Sequence, residues 1–417
     1  MKIIIQSLNF YPDLTGIGKY SAEMALWLVE RGHSVTVITA PPYYPAWRID
    51  SKFRKYWWSR EYWREINVWR CPIWVPLKPT AITRIAHLLS FAISSAPIIF
   101  AQILNRPDLI ITIEPPIFSA PAAWVVSRIC NAKAVLYIQD LEIDAAFNLN
   151  ILSGSKRIKG YIFSIEQFIL LRFDLIVSIS RRMLNKISQK GVPDSRSFLL
   201  YNWASAEHPI CNVDYRRALM IPSDSIIALY SGNMGEKQGL NLLSDLVKLN
   251  LAHQHNSFGK EIHFIFCGDG PGKAGLLKTC SEYKNVHFLP LQPSEGLPVF
   301  LSTADIHLLP QKSEVSDLVM PSKLTGILFS SKPVLTCAIE GSELFEIVKN
   351  CGIVVSPGDS MAFYNAFIML ANDQELRERL GLLGRQYALK NLDKDKILSS
   401  FELQLKKLIS QEKIRGN

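Results

Sequence analysis

Residues 226–240 read Ile-Ile-Ala-Leu-Tyr-Ser-Gly-Asn-Met-Gly-Glu-Lys-Gln-Gly-Leu. A short apolar, β-branched run ends at Ser231, a loop with glycines at 232, 235 and 239 follows, and a helical pattern begins after Leu240. The chain opens the same way. An apolar run at 2–6 leads into Asn9-Phe10-Tyr11-Pro12-Asp13-Leu14-Thr15-Gly16-Ile17-Gly18-Lys19, then an amphipathic helix from about Tyr20 to Arg31. In both places a strand feeds a glycine-bearing loop and a helix start. Gly16 and Gly18, and Gly232 and Gly235, let backbone approach a ligand, while the free N–H groups of the helix end attract an anion. The spacing is not Gly-x-Gly-x-x-Gly, and no acid about 20 residues further on suits a dinucleotide ribose, which disfavours a nicotinamide enzyme.

Outward from these two openings, short β-branched runs alternate with helical stretches. Strands are expected near 2–6, 34–39, 109–113, 134–138, 175–179 and 198–200, and again near 226–231, 262–267, 286–289, 306–309, 333–337 and 353–355. This is the pattern of parallel α/β sheets wound by right-handed crossovers, and the two series predict two Rossmann-like domains, 1–209 and 210–395. The polar stretch after Asn202-Trp203, with Pro209 and Pro222, suits a hinge near 203–212. Residues 396–417 read as a helix, apolar at Ile397, Leu398, Phe401, Leu405 and Leu408, able to pack back on the first domain.

A chain of 417 residues, 48% hydrophobic and 20% charged, can bury two cores and is neither disordered nor a stapled miniprotein. Its seven cysteines include no Cys-x-x-Cys pair, and its eight histidines are scattered, so a reduced compartment is expected and no metal site is proposed. The N-terminus carries no secretory pattern, which predicts a cytoplasmic protein.

The net charge of +9 is unevenly placed. Residues 1–209 carry 24 basic and 15 acidic side chains, and the remainder 22 of each. One half facing an anionic partner fits this better than uniform nucleic-acid binding, for which no recognised module is present. Residues 43–74 hold eleven aromatics, among them Trp57, Trp58 and Trp63, interleaved with cations that include Arg54, Lys55 and Arg60. Such a mixture suits an anionic membrane surface; the competing reading is a long loop whose rings pack on their own domain. Leu88–Leu104 adds seventeen uncharged residues interrupted by Pro97. At ~1.5 Å per residue they reach about 25 Å, short of a ~30 Å hydrocarbon core, and read as a buried or interface-dipping helix rather than a span.

Three further stretches can carry chemistry. Phe266-Cys267-Gly268-Asp269-Gly270-Pro271-Gly272 is a tight turn at a strand's carboxyl end, where open α/β sheets bind ligands. Met320-Pro321-Ser322-Lys323-Leu324 resembles an N-capped phosphate grip, with Ser322 and free amides as donors and Lys323 as charge; Lys237 can likewise neutralise a leaving group. Tyr137-Ile138-Gln139-Asp140 ends a strand, and Asp140 either orients substrate hydroxyls, with Gln139 beside it, or caps the next helix. His33 reads as structural.

In combination, "LTGIGKY", "YSGNMGEKQGL", "FCGDGPGKAGL", "STADIHLLP", "MPSKLTGILFSSKPVL" and "CGIVVSPGD" resemble, in order and over nearly the whole chain, the retaining GT-B glycosyltransferases of family 4. "VITAPPYYPAW", "VWRCPIWVP" and "YIQDLEIDA" are similar to the colanic acid biosynthesis glycosyltransferases of the WcaI type within it. The resemblance implies two domains facing across a cleft, and transfer from a nucleotide sugar, with GDP-fucose the expected donor, to a polyprenyl-diphosphate-linked oligosaccharide at the cytoplasmic face of the inner membrane. It implies no cofactor and no metal. Catalytic roles fall to Asp140, Gln139, Lys237 and Lys323, and donor contacts to Gly16, Gly18, Gly232, Asn233, Gly235, Gly268, Asp269, Gly270, Pro321 and Ser322. The chain departs from the broad family where two glutamates usually stand, having Leu318 and Gly326. Asn233 replaces the usual Arg, and Gln238 the usual Lys, one place beyond Lys237. Glu314, Asp317 or a backbone group is left to grip the donor ribose. A GT-B nucleotide-sugar epimerase and a noncatalytic polysaccharide-assembly subunit are the alternatives.

Overall fold

The computed structural model describes residues 1–417 apart from 14–15, 45, 55–56, 78–79, 116, 142–155, 205–213, 236–237, 254–259, 294–295, 313–320 and 416–417, and apart from the side chains of 81, 156–159 and 411–415. The chain divides into Met1–Tyr201 with Leu398–Asn417, and Asn202–Ile397.

The first unit is built on β1 (Lys2–Ser7), β2 (Ser34–Thr39), β3 (Ser59–Trp63), β4 (Ile66–Arg70), β5 (Leu109–Glu114), β6 (Lys133–Ile138), β7 (Leu175–Ser178) and β8 (Ser197–Leu199). Their order is β3-β4-β2-β1-β5-β6-β7-β8, with β3 antiparallel to β4 and the other pairings parallel. Every residue of β5 is buried, as expected for a strand covered on both faces. The crossover helices are α1 (Gly16–Glu30), α2 (Ala81–Ala101), α3 (Ala120–Cys130), α4 (Lys156–Leu170) and α5 (Arg181–Gln189). Right-handed crossovers place α1, which steps from β1 to β2, on one face of the sheet. The same rule puts α2 through α5, which step the other way, together on the opposite face.

The second unit has β9 (Ile226–Ser231), β10 (Ile262–Cys267), β11 (Val286–Leu289), β12 (Ile306–Leu309), β13 (Val334–Cys337) and β14 (Gly352–Val355) in the all-parallel order β11-β10-β9-β12-β13-β14. Its helices are α6 (Tyr215–Ala218), α7 (Asn241–Ala252), α8 (Lys273–Cys280), α9 (Leu297–Ser302), α10 (Lys323–Phe329), α11 (Glu343–Val348), α12 (Ser360–Asn372) and α13 (Gln374–Asn391); α14 (Lys394–Arg415) follows.

All the expected strands are present, and the hairpin β3–β4 is additional: part of the stretch read as a long loop is an edge ribbon. Its turn residues Arg64 and Glu65 both have positive φ, 44° and 67°, without the Asn-Gly that would announce such a turn. The strand alternation of β4 buries Ile66, Val68 and Arg70. Arg70 is satisfied there by Glu61 and by the carbonyls of Tyr11 and Ala40.

The boundary after Tyr201 lies short of the expected 209. Trp203 is fully buried, and Ala204 exchanges backbone hydrogen bonds with Leu392 and Lys394, so the start of the expected hinge is fastened inside the second unit. Residues 205–213 lie outside the described residues. From Leu398 the last helix belongs to the first unit: Phe401 and Leu405 are buried, Phe401 lies 5.9 Å from Phe198, and Glu402 meets His33 at 2.8 Å. With these boundaries the first unit carries 28 basic and 16 acidic residues and the second 18 and 21, a sharper asymmetry than the division at 209.

Candidate functional site

Each sheet has a switch point, between β1 and β5 in the first unit and between β9 and β12 in the second, where the winding direction reverses. Crevices beyond the strands' carboxyl ends at such points are where open α/β sheets bind ligands. In the second unit Gly232 and Asn233 follow β9, Gly268–Gly270 follow β10, and Gln311 follows β12.

The two glycine loops are locked together. Met234 N–H donates to the Asp269 carbonyl at 2.8 Å, and Gly272 N–H to the Met234 carbonyl at 2.8 Å. Gly268, at φ 151°, lies so close to the Gly232 carbonyl oxygen that a Cβ would overlap it, and a Cβ on Gly270 would press on Met234 and Asn233. Close backbone approach is therefore what these glycines provide. Asn233 and Asp269 are exposed, and Gly235 packs beside the Asn233 amide.

Over this cradle lies Lys323. Its Nζ donates to the Tyr230 hydroxyl at 3.0 Å and sits 4.1 Å from the Tyr230 ring centroid, while Tyr230 donates to the Asn233 carbonyl at 2.6 Å. Burial pushes the Lys323 amine from 10.5 down to about 7, because charge is disfavoured away from water. No carboxylate is among the partners found for it in the described residues. An entering phosphate would supply the missing counter-charge, restoring the ammonium and giving it a charge-assisted bond.

The expected N-cap differs. Ser322 has helical backbone and makes no capping hydrogen bond; its side chain is exposed, and Pro321 precedes it half-buried. Lys237, Glu314, Asp317 and Leu318 lie outside the described residues. At Gly326, where the broad family has a glutamate, a Cβ would already stand 3.0 Å from Leu301 Cδ1, so the position faces packed protein here.

In the first unit, α1 starts at Gly16 (φ 58°), and Gly18 lies directly under Asp13, where a Cβ would overlap that side chain. Asp13 accepts from Asn9 Nδ2 at 3.2 Å; burial raises its carboxyl to about 6, against the lowering pull of Asn9 and Arg70. Gln139 is buried beyond β6, its N–H bonded to the Glu114 carbonyl, and its Nε2 has no hydrogen-bond partner among the described residues. Asp140 is half-buried next to it. The alternative, that Asp140 caps the next helix, falls on residues 142–155, outside the described residues.

Asp13, Tyr230 and Gln311, whose buried Oε1 likewise has no hydrogen-bond partner among the described residues, were not singled out in the sequence. Asp13 and Gln311 stand within a few residues of a strand's carboxyl end, and that position is the signal that marks them. His33 is structural: its ring meets the Met1 amine at 3.3 Å and Glu402 at 2.8 Å. Among the described residues no three His, Cys, Asp or Glu side chains converge as a metal site.

The aromatic segment splits. Trp57 is 74% exposed, and Arg54 and Arg60 are exposed. Trp58, partly exposed, donates its indole N–H to the Ser94 carbonyl of α2 at 2.6 Å. Trp63, expected on the same outer surface, instead stacks on Tyr11 at 4.4 Å and meets Phe10 edge-on. Lys55 lies outside the described residues.

Comparison with known proteins agrees with this arrangement. Residues 15–203 match a glycosyl transferase 4-like domain, and 213–387 match glycosyl transferases group 1. The putative colanic acid biosynthesis glycosyl transferase WcaI of Escherichia coli K12 is 36% identical over 415 residues, covering 96% of this chain and 98% of that protein. Among solved structures, sucrose-phosphate synthase from Thermosynechococcus elongatus superposes with TM-score 0.76 at 16% identity, over 98% of this chain and 99% of that one. HepE of Anabaena in complex with UDP-glucose superposes with TM-score 0.68 at 14% identity, over 99% and 100%. At these identities the superpositions speak for the fold alone.

Proposed function

The chain belongs to the GT-B glycosyltransferases of the GT4 type and, within them, to the group of the WcaI colanic acid proteins; from that premise we propose that it moves a sugar from a nucleotide-sugar donor to a polyprenyl-diphosphate-linked oligosaccharide, with retention of configuration, during exopolysaccharide assembly on the cytoplasmic face of the inner membrane. The observation that carries the donor half of this reading is Lys323, a buried amine with no carboxylate partner among the described residues, poised over two interlocked glycine loops at a switch point. One structural neighbour, HepE of Anabaena, is solved in complex with UDP-glucose, which supports the nucleotide-sugar class. GDP-fucose is the first donor to test.

In this reading the diphosphate lies on the amides of the Gly232–Gly235 and Gly268–Gly270 loops, with Lys323, and Lys237 where it reaches, meeting its charge. Pro321 and Ser322 border the same edge. An acceptor hydroxyl oxygen forms a bond to the anomeric carbon as the bond to the diphosphate oxygen breaks on the same face, and the hydroxyl proton passes to that departing oxygen. Stabilising the leaving group is then the main catalytic task, which explains the absence of a requirement for a glycosidase-like carboxylate pair. Gln139 and Asp140 of the first unit orient sugar hydroxyls, and the backbone at Gly16 and Gly18 serves as a donor contact. No cofactor and no metal enter this scheme.

The test is a panel of nucleotide sugars, GDP-fucose first, with polyprenyl-linked oligosaccharide extracted from membranes, read by product mass and by the anomeric proton coupling. Acceptor-dependent release of nucleoside diphosphate with one added sugar and a retained anomeric centre is expected. Conversion of the donor alone would make the protein an epimerase, and no turnover with any donor a noncatalytic subunit; either overturns the proposal. Full turnover in EDTA is expected, and its loss with rescue by a divalent cation would refute the metal-free scheme.

A further inference from the structure

Helix α2 is amphipathic in the reverse sense. Its inner face, packed in the first unit, carries His87, Phe91, Ser95, Ile99 and Gln102 just beyond its end, all buried. Three of these are polar and each is bonded: His87 Nδ1 pairs with the Trp74 carbonyl at 2.6 Å, Ser95 accepts from Gln6 Nε2 at 2.9 Å, and Gln102 Nε2 donates to the Ile98 carbonyl at 3.2 Å. The outer face is where a water-exposed crossover helix places its polar residues. Here it carries Ile82, Leu89, Ile93, Phe100 and, one step past the helix, Leu104, exposed by 79%, 38%, 72%, 40% and 88%. Positions three, four or seven apart fall on one stripe, and Ala86 and Pro97 fill its gaps without adding charge.

We propose that this stripe is the surface by which the protein rests on an anionic lipid bilayer, with α2 lying in the plane of the headgroup boundary. Residues 66–107 contain four basic side chains and no acidic one, so nothing within them repels an anionic headgroup. Arg84 sits exposed near the start of the helix and Arg106 just beyond its end. At the middle of the helix, Trp58 is fastened to the Ser94 carbonyl by its indole hydrogen bond, and the exposed Trp57 ring lies 6.2 Å from it, amphipathic rings of the kind that favour the interface. The 28 to 16 excess of basic residues in this unit gives the longer-range attraction.

The outer face of α4, on the same side of the sheet, repeats the pattern with Tyr161, Ile165 and Phe168 exposed by 76%, 53% and 56%. A flat lipid surface engages two apolar stripes on one face of the sheet more readily than a groove-filling partner does. Ile82–Asn105 is long and apolar enough to cross a bilayer. It does not do so in this fold, because Phe91 and Ile99 are held in the same core as Ile4, Ile38 and Ile110 of the parallel sheet. The inference rests on the membrane-linked acceptor proposed above, and its test is separable from it.

Full-length protein and its Ile93→Glu and Phe100→Glu variants would be sedimented with phosphatidylcholine vesicles and with vesicles containing phosphatidylglycerol. Both side chains are exposed, so circular dichroism and nucleoside-diphosphate binding should match wild type. Binding to the anionic vesicles, weakened by salt and lowered about tenfold or more in both variants, is expected. Wild-type protein that stays in the supernatant while still transferring sugar overturns the docking surface and leaves the enzymatic reading intact. Vesicle binding with no transfer to any acceptor does the reverse. Variants that bind as well as wild type, or a wild-type dimer that Ile93→Glu dissociates without any vesicle binding, refute the α2 stripe.

Discussion

Replacing Lys323 by Met should make the second unit more stable and the protein far less active. Burial lowers the amine from 10.5 to about 7, a shift of about 3.5 units at about 1.4 kcal/mol each, so charging it in the fold costs up to about 5 kcal/mol. At pH 7 about 4 kcal/mol of that remains. The hydrogen bond to Tyr230 and relaxation around the amine reduce the expected gain for Met, close in volume and apolar, to about 2 kcal/mol. The sign follows from proton counts: between the folded value near 7 and the unfolded value of 10.5 the unfolded chain holds more protons. The cost is therefore complete below about pH 7 and disappears as pH rises toward 10.5. Urea midpoints of wild type and Lys323→Met should differ most at pH 6 to 7 and converge by pH 10. Turnover should fall about 10²- to 10³-fold, the effect of losing one donor at a developing anion. Calorimetry in buffers of different ionisation enthalpy should show wild type taking up a proton on binding nucleoside diphosphate at pH 8, and the variant not. Activity within a few-fold of wild type, or a stability difference that does not change with pH, would refute the assignment.

Gly268→Ala should cost about 3 kcal/mol or more and abolish nucleotide binding, because the Cβ overlaps the Gly232 carbonyl and the φ of 151° is foreign to alanine; a melting scan with and without nucleoside diphosphate checks both. Asp13→Asn tests the carboxyl raised to about 6. Its ionised form is disfavoured in the fold, so wild-type stability falls as pH rises from about 4 through 6. The variant should be more stable by about 1 kcal/mol at pH 7, allowing for partial exposure, and equal near pH 4; parallel stability-pH curves would contradict this.

The periodicity of short β-branched runs determined the two parallel sheets by itself, because strands buried on both faces must be continuously apolar, as Leu109–Glu114 nearly is. The glycine loops were legible for the same local reason: Gly232 and Gly268 follow strands, and a backbone at φ above 100° admits little else. Tertiary structure alone decided the rest. The hairpin at Ser59–Arg70 has no turn signature and gains its place from pairing with β2. Tyr230 appears in the sequence as one more residue of a buried strand; only the fold brings its hydroxyl to a lysine ninety-three positions away. Composition marked α2 as apolar, yet which side of it meets protein depended on where the sheet lay, since His87, Ser95 and Gln102 could turn inward only where Trp74, Gln6 and the helix's own backbone were there to bond them.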